Sequence, residues 1–374
     1  MKMPGSYSEK THNGAKPIEG VGTGTAGFVG RAEKGVDNKP VLITSWAEFV
    51  QEFGRYTPDT PYLAPAVCGF FENGGSRCFV VKTTGKDYTG KANGTGNSTG
   101  LAVLDEIDEI SIVCIPGITS AGVQNGLISH CEKNRYRFAI LDSIKGATVD
   151  GIKAQKEVLV SQRGYGALYY PWIRVSIDIT KGGRINTIQE LVPPSGCIAG
   201  IYARTDIEKA PASEPVRGAL GVEADVTKAI EDGLNPSGIN CIRSFPAKGV
   251  RVWGSRTIST DPEWKYVNVR RLLLFIEKSI DRGTRWVVFE PNGEKLWANV
   301  RASITEFLSE LWQEGMLMGA KPEEAFFVKC DRTTMTQDDV DNGRLVCLIG
   351  VAAVKPSEFV IFRIGQQVGG SSVP

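Results

Sequence analysis

The sequence has few of the residues on which most enzyme sites depend. Only two histidines occur among its 374 residues, and His12 lies in a polar, glycine-containing stretch near the start. A histidine-based triad, dyad or zinc site would therefore depend almost wholly on His130. None of the eight cysteines forms a Cys-x-x-Cys pair, which excludes a zinc ribbon or a thioredoxin-like motif. No Gly-x-x-x-x-Gly-Lys-Ser/Thr motif marks a P-loop, and we predict no catalytic residue, metal or cofactor.

An excess of charge of one sign is also missing. The chain carries 43 basic and 42 acidic residues, a formal net charge of +1 with histidine neutral. Nucleic-acid-binding chains usually carry a basic excess or a basic stripe, so we expect no nucleic-acid partner. No stretch approaches the roughly eighteen apolar residues of a membrane-spanning helix, and no apolar run follows Met1. We therefore expect no signal peptide and no direct membrane insertion.

The composition is that of a folded protein. Apolar residues make up 41% and charged residues 23% of the chain, both typical of globular domains. The length fits two or three domains. Periodicity and glycine content divide the chain into an N-terminal extended arm (1–25), a small α/β region that ends in a glycine-rich linker (26–100), an α/β domain (101–260), a C-terminal domain (261–355) and a C-terminal linking arm (356–374).

Strand-like and helix-like patterns alternate along much of the chain, which predicts an α/β (α+β) fold with a parallel sheet. In the first part, strands are predicted at 26–30, 40–44 and 78–82, and helices at 45–53 and 62–72. In the middle, strands are predicted at 110–115, 137–142 and 165–173, and helices at 119–132, 148–162 and 221–232. In the last third, helices are predicted at 266–281 and 295–314, and strands at 286–290, 326–331, 344–354 and 358–368.

Three short motifs resemble functional sites, and each has a simpler structural explanation. Gly22–Gly27 matches Gly-x-Gly-x-x-Gly, but a polar arm precedes it and a strand follows, so a hinge is predicted instead of a dinucleotide site. Asp338–Gly343 has the wrong spacing for an EF-hand and predicts a turn between two strands. His130 and Cys131 are adjacent on a predicted helix, where neighbouring side chains diverge, so both are predicted to pack in the core.

The end of the chain is the part hardest to explain in an isolated monomer. The segment after Pro356 is strongly strand-forming, and it is apolar on both faces through Phe359, Val360, Ile361, Phe362 and Ile364. A terminal strand of this kind is an aggregation hazard unless it is paired. Pairing within its own sheet and addition to the sheet of a neighbouring subunit both satisfy this argument. The polar arm at the other end fits a protein that links to copies of itself.

Several motifs carry a resemblance to a known family. The most specific pair is LNPSGIN at 234–240 followed by VWGSRT at 252–257. Further similar segments are GVGTGTAGFVG at 20–30 with PVLIT at 40–44, VPPSGCIAGIYARTD at 192–206, KAPA at 209–212 and GVAAVKPSEFV at 350–360. Together they resemble the sheath protein of contractile phage tails, and they look closest to the sheaths of extracellular contractile injection particles. Ser255 stands where the family often has alanine.

The resemblance implies a fold and a set of partners. The expected fold is a subtilisin-like α/β domain without protease activity plus a C-terminal α/β sheath domain with extended terminal arms. The chain would polymerise with itself as hexameric rings, stacked helically around an inner tube protein and bounded by baseplate and terminal cap proteins. Contraction would drive the tube through a target envelope. The expected place of assembly is the bacterial cytoplasm, and the mature location is a phage tail or a released extracellular particle.

Two surfaces follow from that implied function. The arms 1–25 and 356–374 would link subunits by adding strands to sheets completed by neighbours. The amphipathic helix at 295–314 is the candidate tube-facing element, through the polar residues Lys295, Arg301, Glu306 and Glu310. The alternatives are a non-contractile shell or tube protein and a degenerate α/β hydrolase-like enzyme. An enzyme would form a closed oligomer, whereas a sheath would form tubes. Images of a particle before and after a trigger would separate a non-contractile shell from a sheath.

Overall fold

The computed structural model describes residues 16–85, 87–92, 98–181 and 184–356. Thirteen strands lie in the described residues: β1 (Ala26–Gly30), β2 (Pro40–Ile43), β3 (Cys78–Lys82), β4 (Ile112–Cys114), β5 (Phe138–Asp142), β6 (Gly166–Tyr170), β7 (Ile173–Lys181), β8 (Arg184–Val192), β9 (Ala219–Val222), β10 (Ile239–Phe245), β11 (Gly249–Trp253), β12 (Phe326–Lys329) and β13 (Leu348–Val351).

Ten α-helices lie in the same described residues: α1 (Trp46–Phe53), α2 (Leu63–Glu72), α3 (Ala121–Asn134), α4 (Val149–Glu157), α5 (Ser195–Arg204), α6 (Lys228–Leu234), α7 (Val267–Gly283), α8 (Glu294–Gln313), α9 (Pro322–Ala325) and α10 (Gln337–Asp341). Short 3-10 turns at 100–106, 235–237, 262–264 and 285–287 complete the regular structure. The mixed α/β class predicted from the sequence is confirmed.

One eight-stranded sheet forms the centre of the molecule, in the order β11-β10-β6-β5-β4-β1-β3-β2. Its inner pairs are parallel, whereas β2 and β11 pair antiparallel at the two edges. Every residue of β1, β5 and β6 is buried, as expected of parallel strands covered on both faces. The sheet takes strands from both 26–100 and 101–260, so the first range contributes to the same core as the second.

Helices α2 and α5 pack on one another at very short range beside β4 and β5. A Cβ atom at Gly196 would lie 2.1 Å from the carbonyl oxygen of Ala66, so only glycine permits this approach. The contact fixes the start of α5, and with it Ser195, against the carboxyl end of the central sheet.

A second, antiparallel sheet of order β8-β7-β9 lies between residues 173 and 222, where the sequence patterns predict no strand beyond residue 173. β7 and β8 pair along their full length, from Ile173 with Val192 to Lys181 with Arg184. The helix predicted at 221–232 is partly wrong, because residues up to Val222 belong to β9 and α6 begins at Lys228. Pairing of Gly221 and Val222 with β7 takes those residues out of the helix.

The last third of the chain forms what we call the C-terminal unit (α7 to β13), with an apolar cluster of its own around α8. The strand predicted at 286–290 is wrong. Residues 285–287 form a 3-10 turn, and Val288 is 62% exposed while Phe289 is fully exposed. These residues favour a strand by composition, but they pair with no other strand in the described part of the chain, so no strand forms. The predicted turn at Asp338–Gly343 is mostly the short helix α10, with a capping box from Thr336 to Asp339.

Candidate functional site

The first described residues, 16–25, form an extended segment that we call the strap. It crosses α7 and α8 before entering β1. The buried side chain of Ile18 joins the apolar cluster of the C-terminal unit. The backbone N–H of Lys16 donates to Ser303 Oγ at 3.0 Å, and that of Val21 donates to Ser279 Oγ at 3.2 Å. Serines of the two long helices therefore hold the strap at its first described residue and near its middle.

The glycine-rich part of the strap is also held, which corrects the predicted hinge at Gly22–Gly27. Ser111 Oγ donates to the carbonyl oxygen of Thr23 at 2.6 Å, directly before β4. The backbone N–H of Ser111 donates to the carbonyl of Thr25 at 3.0 Å. A Cβ atom at Gly20 would lie 2.9 Å from the ring of Phe275, so glycine lets the strap pass close to α7 before β1 begins at Ala26.

The chain leaves the described residues from the same unit that holds the strap. Asn268 Nδ2, on α7, donates to the carbonyl oxygen of Val354 at 3.1 Å. The N–H of Met318 donates to the carbonyl of Ala352 at 2.7 Å. Both described ends of the chain, near Lys16 and Pro356, thus lie on the C-terminal unit. The predicted linking residues Phe359, Val360, Ile361, Phe362 and Ile364 lie outside the described residues.

β12 and β13 form a two-stranded antiparallel sheet between these ends. The pairs run from Phe326 with Val351 to Lys329 with Leu348. Phe326 is buried towards α8, whereas Phe327 is 52% exposed and Leu348 is 51% exposed. In the described part of the chain, no third strand pairs with β12 or β13, and only the isolated bridge of Leu317 with Ala353 extends the ladder. A two-stranded sheet is at best marginally stable by itself, so this element is a candidate for further strand pairing, with an apolar outer face.

Helix α8 carries the predicted tube-facing residues on the side away from its core. Its buried face consists of Leu296, Trp297, Val300, Ser303, Ile304, Phe307, Leu308 and Leu311. Lys295, Arg301 and Glu310 are exposed, and Glu306 is half-buried. The helix therefore presents charges of both signs to solvent, although one of the four predicted residues, Glu306, is partly shielded from solvent.

Two cysteines meet at the end of the β12–β13 ladder. Lys329 pairs with Leu348 at the end of the ladder. Cys330 follows Lys329 and Cys347 precedes Leu348, so continuing the same register places the two cysteines opposite one another. The Cys347 thiol donates a hydrogen bond to Cys330, which lowers the pKa of Cys330 and raises the pKa of Cys347. Sequence reasoning missed this pair because the two residues belong to separate apolar runs.

A buried serine and aspartate provide the strongest test of the enzyme alternative. Ser195 Oγ donates to Asp142 Oδ2 at 2.7 Å, and the N–H groups of Ser195 and Gly117 donate to the same carboxylate at 2.8 and 2.9 Å. Burial raises the pKa of Asp142 to about 6, although these hydrogen bonds oppose the shift. Both side chains are buried, so the arrangement ties α5 to β5 and offers no surface to a substrate.

His130 belongs to a different polar network. Its Nδ1 lies 3.1 Å from Asp105, and its Nε2 lies 2.7 Å from Nη1 of Arg137. Because a guanidinium can only donate, Nε2 is the acceptor and Nδ1 carries the proton. Burial lowers the pKa of His130, and the hydrogen bond from His130 lowers the pKa of Asp105. This network joins α3 to the 3-10 turn at 100–106, in agreement with the predicted packing role.

Within the described ranges, no group of three or more histidine, cysteine, aspartate or glutamate side chains could hold a metal ion. No helix in the described part of the chain is both long and apolar enough to cross a membrane.

Comparison with known proteins identifies the family. The model of the phage tail sheath protein central domain matches residues 82–258, and that of the phage tail sheath C-terminal domain matches residues 259–367. The chain is 26% identical over 185 residues to the tail sheath protein of Vibrio phage KVP40. That match covers 47% of this chain and 27% of the relative, so the chain spans about a quarter of that protein's length.

Solved structures match over nearly the whole chain. The contracted helical sheath of the anti-feeding prophage (AFP) is 31% identical, with a TM-score of 0.77 over 98% of this chain and 100% of the other. The sheath complex of PVC, an extracellular contractile injection system in its contracted state, is 28% identical, with a TM-score of 0.79 over 98% of both chains. These matches confirm the resemblance read from the sequence motifs, and the chain belongs to the phage tail sheath family as a contractile sheath subunit.

Proposed function

We propose that the chain polymerises through its terminal arms into stacked hexameric rings around an inner tube, and that contraction of this sheath drives the tube through a target envelope. The observation that carries the proposal is the position of the two-stranded β12–β13 sheet. It lies on the C-terminal unit, the same unit on which the strap begins and the described chain ends.

The arms are long enough to reach a neighbouring subunit. Residues 1–15 precede the described chain and residues 357–374 follow it. At about 3.3 Å per residue, 15 extended residues span roughly 50 Å, which exceeds the diameter of a small domain. Strands from neighbouring arms would pair with the free edges of β12 and β13 and cover the exposed Phe327 and Leu348.

Contraction is then a change between two packings of the same rigid bodies. Main-chain hydrogen bonds of the added strands would persist, while the surfaces between the bodies repack. The contact with the tube must hold before contraction and release afterwards, so it should be polar and small. The exposed charges of α8 suit such a contact, since charge pairs at a wet surface contribute little each.

The proposed partners are further copies of the chain, an inner tube protein, and baseplate and terminal cap proteins at the ends of the sheath. Assembly is proposed to take place in the bacterial cytoplasm. No catalytic activity is proposed, because the hydrogen-bonded pair of Ser195 and Asp142 is buried and His130 contacts a different set of residues.

Deletion of residues 357–374 tests the linking role. The described core keeps its two apolar clusters and all described strand pairs without this segment, so the truncated chain should fold as a soluble monomer or small oligomer. It should form no tubes by electron microscopy under conditions in which the full chain forms them. Normal tubes from the truncated chain would reject the proposal. Tubes of the full chain whose length is unchanged by an acid or mild denaturant trigger would instead indicate a non-contractile shell.

A further inference from the structure

The cysteine pair at the end of β12 and β13 has the geometry of a disulfide site. Residues directly opposite on antiparallel strands have Cα atoms about 4.5–5.5 Å apart. Disulfide-bonded cysteines have Cα atoms about 4.4–6.8 Å apart, so the register that sets Cys330 opposite Cys347 falls within the required range. Residues directly opposite on an antiparallel ladder project to the same side of the sheet, so the register also places the two thiols on one side.

The surroundings of Cys330 favour its thiolate. The hydrogen bond from Cys347 lowers the pKa of Cys330, and the positive charge of Arg301 contributes in the same direction. A cavity of about 350 Å³, lined in part by Arg301 and Trp297, reaches Cys330 from the exposed side of α8. By contrast, burial raises the pKa of Cys68 and Cys131 to about 12, so these thiols stay protonated.

We propose that Cys330 and Cys347 are an oxidation site that closes to an intramolecular disulfide on exposure to a peroxide. The thiolate of Cys330 attacks one peroxide oxygen. A sulfur–oxygen bond forms, the oxygen–oxygen bond breaks, and hydroxide leaves and takes up the proton that Cys330 released, giving water. Cys347 then attacks the sulfenic sulfur, the sulfur–oxygen bond breaks, and a second water leaves with the thiol proton. Two thiols are oxidised, and one hydrogen peroxide is reduced to two waters.

The disulfide would enclose residues 331–346, which carry α10 and connect the two strands. It would fix the end of a ladder that otherwise holds only four residue pairs. Closing a loop in the unfolded chain stabilises the folded form, so the oxidised C-terminal unit should unfold at a higher temperature than the reduced unit. This inference concerns the isolated chain and does not depend on assembly into a sheath.

The test uses the purified full chain and counts free thiols by mass spectrometry. The protein is reduced, exposed to hydrogen peroxide, denatured and alkylated. Eight labels are expected on the reduced chain, which has eight free cysteines. Six labels are expected after peroxide, together with a linked peptide pair containing Cys330 and Cys347. Reduction with a thiol reagent should restore all eight labels.

Three variants separate this site from general oxidation. Cys347→Ser changes a half-buried residue and should fold, but it should accumulate a sulfenic acid at Cys330 that a dimedone probe traps. Cys330→Ser should lose no labels. Cys68→Ser removes another half-buried thiol and, as the matched control, should still lose two labels. Retention of all labels by the wild-type chain, or a linked pair formed with any other cysteine, would overturn the proposal.

Discussion

Replacement of Ile18 by alanine should release the strap from the C-terminal unit. The side chain is 6% exposed and belongs to the apolar cluster that also contains Leu272, Ile276 and Ile304. It also sits directly on Gly283, where an added Cβ atom would lie 2.8 Å from Ile18 Cγ1 and Cγ2. Nothing else in the first described residues, 16–20, is buried, so this one side chain provides most of the apolar attachment of that end of the strap.

The expected cost follows from the burial. Buried Ile→Ala changes destabilise by about 2–5 kcal/mol. The neighbours Pro17 and Glu19 are exposed, so the segment lies at the surface and can move to fill part of the cavity left by the Ile18 side chain. We therefore expect the attached strap to be destabilised by about 2–3 kcal/mol, the lower part of that range. Because the strap can open locally without unfolding the sheet, this loss should raise its open population by roughly 30- to 160-fold.

Amide hydrogen exchange with mass spectrometry measures that opening. The N–H groups of Lys16 and Val21 are bonded to Ser303 and Ser279, so their exchange reports directly on the attached strap. In Ile18→Ala the peptide covering these residues should exchange at least tenfold faster, while peptides from β5 and β6 should be unchanged.

The strap offers a matched control for backbone effects. A Cβ atom at Gly22 would meet no heavy atom within 4 Å, so Gly22→Ala should leave exchange unchanged. If Ile18→Ala alters exchange by less than twofold, or if Gly22→Ala accelerates it equally, Ile18 is not the anchor.

Three further predictions concern assembly and pH. Insertion of a few flexible residues after Lys355 should permit assembly, since loop length costs little, but prevent the shortening seen by electron microscopy after a trigger. Reversing the charges of Arg301 and Glu310 should weaken co-sedimentation with the tube, most at low salt, whereas reversing Lys248 should not. The raised pKa of Asp142 favours the protonated folded form, so the contribution of Asp142 to wild-type stability should fall by about 2 kcal/mol between pH 4 and pH 7. In chemical denaturation, Asp142→Asn should lack this part of the pH dependence of the unfolding free energy. The same pH dependence in the variant and the wild type would contradict the prediction.

The parts of the fold predicted correctly are those where one local pattern determines one element. Helices α7 and α8 were predicted within a few residues, because long amphipathic repeats persist whatever surrounds them. The hairpin of β7 and β8 was missed, although Ile173, Val175, Ile177 and Ile179 alternate with polar residues and Gly182-Gly183 separates the strands. The alternation that marks a strand is therefore present in the sequence, within a longer range whose glycine and proline content favours irregular structure.

Other features could not be predicted from local patterns. β1 pairs with β3 and β4, which are distant in sequence, so a core shared by 26–100 and 101–260 depends on long-range contacts. The attachment of the strap rests on Ile18, a single apolar residue in a polar stretch, which has no periodicity to detect. Of the predicted polar residues on α8, three are exposed as expected, but Glu306 is half-buried because its position on the helix turns towards the core.

If the N-terminal arm links subunits as proposed, the position of β1 would let it bear a load. A strand at the edge of a sheet can be peeled away one hydrogen bond at a time, but β1 is bonded on both sides, to β3 along five residues and to β4 along three. A force directed along β1 would load the hydrogen bonds to both neighbouring strands together. Before it reaches β1, the pull meets Ile18 and the serine contacts on α7 and α8. Movement of a neighbour's arm would therefore shift the C-terminal unit and the central sheet as one body, which is what contraction by rigid bodies requires.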